Sequence, residues 1–179
     1  MNISFDADIP FPRVLVFQTY RDKLVDLVPY LPNVRHIEVQ SRQEQAGKIQ
    51  CVNVWHGGGE IPAIARAFLS EEMLSWTEYN LWDEAAFTLE WRIETHGFTA
   101  AVSCVGKNTF VTTNGTTVVE NRGQLVIAPH QLDGVPPFLR HQVAGIVEDF
   151  LGHKVGPNLR QMSEGVCQYL KQKGSVAHR

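Results

Sequence analysis

The stretch His56-Gly57-Gly58-Gly59-Glu60 sets an imidazole and a carboxylate at either end of three glycines. Histidine changes charge near neutral pH and a nearby carboxylate can exchange protons with it, so His56 and Glu60 are the candidate catalytic residues, acting as acid and base. The glycines could also aim backbone N–H groups at a developing oxyanion. That use requires a nucleophile on a strand-to-helix turn, and no Gly-x-Ser-x-Gly occurs in the chain. Neither Gly-x-x-x-x-Gly-Lys nor Gly-x-Gly-x-x-Gly is present to cradle a phosphate. The glycines then read as a mechanical device that ends a strand, allows positive φ, and launches residues 60–69 as a hinged lid.

The other reactive types are dispersed. Seven histidines show neither His-x-His nor His-Glu-x-x-His spacing, so no metal and no other cofactor is expected. Cys51, Cys104 and Cys167 lie far apart, as buried small hydrophobes do, and match neither a disulfide framework nor a Cys-x-x-Cys knuckle. A net charge of -3, from 19 acidic and 16 basic side chains without a basic run, argues against nucleic acid as a partner. MNISFDADIP carries acids where a signal peptide would carry positive charge, and no segment reaches the roughly 18 apolar residues of a membrane span. The expectation is a cytoplasmic protein with no transmembrane segment. Its oligomeric state is left open.

The elements that must position these residues follow from the hydrophobic period. Ile3 to Phe11 reads as a strand ended by Pro10 and Pro12. Residues 12–28 carry apolar side chains at mostly helical spacing and stop at Pro29, which fits one bent helix or two short ones. The period then changes to two over 34–43, 48–56, 73–82, 86–94, 100–112 and 116–127, giving six more strands joined mostly as hairpins, with Asn114-Gly115 the clearest turn. In 87–94, Phe87, Leu89, Trp91 and Ile93 alternate with Thr88, Glu90, Arg92 and Glu94, so one sheet face is apolar and the other wet. From Phe138 onward an apolar stripe continues to Tyr169 as a long amphipathic helix. Gly152, Gly156 and Pro157 interrupt that stripe, and a break is expected there. Residues 1–172 form one domain on this reading, with 173–179 a flexible tail.

A strand, two short helices, a run of antiparallel strands and a closing long helix resemble, in order and length, the START-like (SRPBCC) superfamily, which includes the birch-pollen allergen and polyketide cyclase-like proteins. The resemblance implies an α+β helix-grip fold, a curved seven-stranded antiparallel sheet wrapped around a long C-terminal helix. A narrower resemblance covers Asn53 to Asp83. There Trp55, then Ile61-Pro62, Ile64, Arg66 and Phe68-Leu69, then Trp76-Thr77-Glu78 and Asp83, look similar to the strand, lid and strand of PRELI-like lipid carriers.

A curved sheet around one helix leaves a cavity unless its side chains are very large, and such a cavity usually takes an apolar small molecule. The implied function is binding or transport of a hydrophobic or amphipathic molecule such as a lipid, with transient contact at a membrane surface allowed. The alternatives are a cyclase- or dehydratase-like enzyme in the same cavity, or a co-chaperone-like interaction module. The expected lining is Asn53, Trp55, Phe87, Leu89, Trp91 and Ile93 from the sheet. The lid would add Ile61, Ile64 and Phe68, and the helix Val143, Ile146 and Phe150.

Overall fold

The structure is a computed structural model that describes residues 1–61, 66–67 and 69–176. Seven antiparallel strands form one sheet in the order β1-β7-β6-β5-β4-β3-β2. They are β1 (Asn2–Ile9), β2 (Val34–Gln45), β3 (Lys48–Gly57), β4 (Ser75–Asp83), β5 (Thr88–Thr95), β6 (Val102–Thr113) and β7 (Thr116–Ile127). Between β1 and β2 the chain makes α1 (Arg13–Asp22) and a 3-10 helix at Val25–Tyr30, and it closes with α2 (Arg140–Val176). The seven strands, the two short helices and the long closing helix are those read from the hydrophobic period.

Each strand turns alternate residues toward α2, as the two-residue period requires. On β7 the buried positions are Thr117, Val119, Asn121 and Leu125. Both edges carry charge that discourages pairing with another chain: Asp6 and Asp8 on β1, Arg35, Glu38 and Glu44 on β2. The β2–β3 register shifts twice, between Val34 and His36 and between Val39 and Ser41. Bulges of this kind bend a strand and increase its local twist.

One end of the space between sheet and helices is filled by aromatic rings. Phe17 of α1 meets Trp82, Phe87 and Phe110 edge-on, with centroids 5.3, 5.2 and 5.2 Å apart. Such pairs are worth about 0.5–1.5 kcal/mol each beyond the area they bury. Tyr20 packs on Phe110 at 5.2 Å and donates its hydroxyl proton to Ser163 of α2 at 2.6 Å, tying α1 to the long helix. The 3-10 helix is held close as well: a Cβ at Gly165 of α2 would sit 3.3 Å from both Leu31 and Tyr30.

One expectation about α2 is corrected. The helix is continuous through Gly152, Gly156 and Pro157, with no break. Pro157 removes only the N–H that would bond His153 O, and the stripe Leu151, Val155, Leu159, Met162 stays on the inner face across it, so packing outweighs the local penalty. The helix runs to Val176.

Candidate functional site

The unfilled part of the sheet–helix space is a cavity of about 200 Å³. Its floor is the concave face of β3, β4 and β5, its roof the middle of α2, and its rim the end of α1 with β2. Trp55, Trp76, Leu89, Trp91 and Ile93 give the floor its apolar area, and Leu151, Val155, Leu159 and Met162 the roof. The space persists because helical side chains cannot reach the trough of so curved a sheet.

Inside these apolar walls lies a polar cluster. In the β3–β4 register Asn53 opposes Glu78 and Cys51 opposes Asn80, and in the β4–β5 register Glu78 opposes Ile93 and Asn80 opposes Trp91. Asn53, Glu78 and Asn80 therefore stand side by side on the floor, and all three are buried. Glu78 Oε2 accepts from Trp55 Nε1 at 2.8 Å and from Asn80 Nδ2 at 3.2 Å. Burial pushes the Glu78 carboxyl above its ordinary pKa, against the opposing pull of hydrogen bonds from Trp55, Asn80 and Asn53. No lysine, arginine or histidine pairs with it among the described residues. A buried acid with donors but no counter-ion is held ready to exchange a proton or to bind a polar group.

Two acceptors in the cavity have no partner among the described residues, Asn80 Oδ1 on the floor and Asn158 Oδ1 on the roof. Beside them Trp91 lies flat against β6 and β7 because Gly106 and Gly123 make room for it. A Cβ at Gly106 would come 2.1 Å from the indole, and one at Gly123 2.7 Å. The indole is then fixed by donating Nε1–H to Asn108 Oδ1 at 2.9 Å.

The rim is ionic. Asp22, at the end of α1, bonds Arg42 of β2 at 2.8 Å and Arg21 at 2.8 Å, and Arg21 also pairs with Glu84. Partial burial works against the Asp22 charge, but the hydrogen bonds from Arg21 and Arg42 prevail and hold its pKa below the usual carboxylate value. Lys154 of α2 completes the rim from the helix side.

The structure brings Asn53, Trp55, Leu89, Trp91 and Ile93 together on the cavity wall. Phe87 is not among them. It closes the β4–β5 turn with a left-handed backbone, φ +52°, which takes it out of the β5 alternation and sets it against Phe17 and beneath the Arg13 guanidinium, 4.0 Å away. Val143 and Phe150 are buried and Ile146 half-buried in the core near the start of α2, off the cavity wall. The cavity-facing portion of the stripe is Leu151 to Met162. Ile61 is buried in the core, and Ile64 and Phe68 lie outside the described residues.

His56 and Glu60 are set away from this cavity. His56 is the outward neighbour of inward-facing Trp55, stacked on His36 at 5.7 Å and 3.4 Å from the Ser75 hydroxyl. Glu60 is exposed, 4.0 Å from the Arg66 guanidinium. The glycines between them act mechanically at two points. A Cβ at Gly57 would lie 2.4 Å from Leu74 O, and Gly59 takes φ +102°. Glu78 and Asn80 were the residues that sequence reasoning missed. Their signal was available in the two-residue period of β4, which puts both on the same face as Trp76 and Trp82.

Among solved structures, the Thermus thermophilus protein TTHA0849 superposes with a TM-score of 0.63 at 17% identity, covering 94% of this chain and 99% of its own. Norcoclaurine synthase from Thalictrum flavum matches with a TM-score of 0.63 at 15% identity, over 95% of this chain and 92% of the synthase. The Zhui aromatase/cyclase of a Streptomyces species matches with a TM-score of 0.55 at 16% identity, over 92% and 93%. This is the helix-grip fold. No protein-family model and no curated protein sequence matches the chain. At these identities the likeness carries the helix-grip architecture and nothing finer, so the chemistry must be read from the chain's own cavity. Among the described residues no helix is long and apolar enough to cross a membrane, and no group of histidine, cysteine, aspartate and glutamate could hold a metal ion.

Proposed function

We propose that residues 1–172 form one ligand-binding domain, working in the cytoplasm, that takes a compact and largely apolar small molecule between its sheet and α2. The observation that carries this reading is the buried Asn53–Glu78–Asn80 cluster on the floor of an otherwise apolar cavity. A space meant only for packing would be filled with aliphatic groups, whereas buried polar groups cost stability unless something repays them. Apolar walls supply affinity at about 25 cal/mol per Å² before entropic costs, and the polar floor supplies orientation. The small volume and the polar floor favour a compact ring system over a long acyl chain.

The burial and raised pKa of Glu78 favour a second reading, a dehydratase- or cyclase-like enzyme. A neutral Glu78 would protonate a departing hydroxyl, which leaves as water, and the resulting carboxylate would take back a proton from the adjacent carbon. Two of the structural neighbours are named as an aromatase/cyclase and a synthase, which is consistent with that use of the fold.

Tryptophan fluorescence tests the binding reading directly, because Trp55, Trp76 and Trp91 all line the cavity. Extracted protein is examined by native mass spectrometry, and purified protein is titrated with 1-anilinonaphthalene. Binding should quench the tryptophans and weaken about tenfold or more in Leu159→Trp, which fills the roof, while His56→Ala leaves it unchanged. If no small molecule co-purifies and Leu159→Trp binds the dye as the wild type does, the cavity is not a binding site.

A further inference from the structure

The two unpartnered acceptors belong to opposite walls of the same cavity, one on the sheet and one on α2. Asn80 Oδ1 belongs to the floor, and its amide orientation is set by donation of Nδ2–H to Glu78. Asn158 Oδ1 belongs to the roof, one helical turn beyond Lys154. Both are side-chain carbonyls, which accept and never donate. Asn80 is more than nine-tenths buried, so bulk water does not satisfy it. A saturated hydrocarbon chain lying between them would seal both acceptors against methylene groups, and an anionic head would set lone pairs against lone pairs.

We infer that the ligand is a neutral ring compound carrying a hydrogen-bond donor at each end, a diol or its amine counterpart, spanning Asn80 Oδ1 on the sheet and Asn158 Oδ1 on α2. This rests on the binding reading above and specifies it. The rings occupy the space between Trp91 and Leu159, and the two donors fix which edge meets the floor. A site built to accept hydrogen bonds discriminates strongly against an analogue that lacks them, because the acceptors are then buried unpaired.

Affinities of a naphthalenediol, the corresponding naphthol monomethyl ether and the dimethyl ether are measured by tryptophan quenching on the wild type and on Asn158→Leu and Asn80→Leu, each checked for folding by thermal denaturation. The diol should bind at least about tenfold more tightly than the dimethyl ether, with the monoether between them. Asn158→Leu should bring the diol down to the level of the monoether and leave the dimethyl ether unchanged or tighter. Asn158 sits on the helix, away from Glu78, so this variant keeps the test decisive if Asn80→Leu does not fold. If diol and dimethyl ether bind equally to the wild type, the two-donor inference is overturned and the binding reading stands. If their ratio persists in Asn158→Leu, the assignment of that acceptor is wrong. If none of the three binds, both the inference and the reading beneath it fall.

Discussion

Replacing Glu78 separates its two roles, because Gln keeps an acceptor in place and Leu does not. In Glu78→Leu the donors Trp55 Nε1–H and Asn80 Nδ2–H lose their shared acceptor within a buried cluster. Each orphaned donor costs about 1–3 kcal/mol, so the variant should lose about 2–6 kcal/mol at low pH, where the wild-type carboxyl is neutral. Glu78→Gln keeps an oxygen toward both donors once the Asn53 amide turns over, and should lose little. The pH dependence then has a definite sign. A glutamate whose pKa is raised by burial contributes stability as the neutral acid. That contribution is fully present below the unfolded value and is lost as pH rises through the folded one. Glu78→Gln has no such loss, so its stability relative to wild type should climb as pH rises above the ordinary value of 4.5. Urea denaturation followed by far-ultraviolet circular dichroism, at a series of pH values and with the slope m checked for constancy, measures both effects. A stability difference between Glu78→Gln and wild type that is flat with pH, or that falls as pH rises, refutes the buried-acid reasoning. A Glu78→Leu protein as stable as Glu78→Gln at low pH refutes the hydrogen-bond accounting.

Enlarging Gly106 tests the seat of Trp91. A Cβ there meets the indole at 2.1 Å and Arg122 O at 2.6 Å, so Gly106→Val should cost about 1–3 kcal/mol or more, seen as a lower midpoint in thermal denaturation, and should weaken dye binding by tilting the indole into the cavity. Burial pushes the Cys104 thiol up to about 12, so at pH 8 it should resist iodoacetamide in the native protein while half-buried Cys167 reacts first; peptide mapping after timed alkylation reads the order, and early modification of Cys104 would contradict the packing.

The fold was legible because its strands are strongly periodic and its helices bounded by prolines. The alternation of Leu89, Trp91 and Ile93 survives in the structure because β5 is flanked on both sides and one of its faces is buried. It fails at Phe87, where the turn sets a left-handed backbone and the aromatic cluster around Phe17 captures the ring. No pattern local to 86–94 encodes that, since the competing partner comes from α1. Pro157 illustrates the opposite case, a strong local rule overridden by packing: the inner face of α2 spans it from Leu151 to Met162, and the whole stripe would have to leave the sheet if the helix broke.

The candidate site was legible only in its apolar half, for a reason that follows from how side chains signal burial. Apolar residues announce the inner face by their type, so Trp55 and Trp91 could be placed by period alone. A buried acid carries the type of an exposed residue, and only its phase betrays it. In β4 the sequence Trp76-Thr77-Glu78-Tyr79-Asn80-Leu81-Trp82 fixes that phase, because Trp76 stacks on Trp55 at 5.6 Å and Trp82 meets Phe17, which leaves Glu78 and Asn80 no face but the inner one. His56 drew attention by its chemistry, yet it is adjacent to Trp55 and therefore of opposite phase. A strand that gives the cavity a tryptophan must give the other face its neighbour. The buried acid of the candidate site lies on the partner strand, diagonal to Trp55, where Glu78 accepts the indole N–H at 2.8 Å.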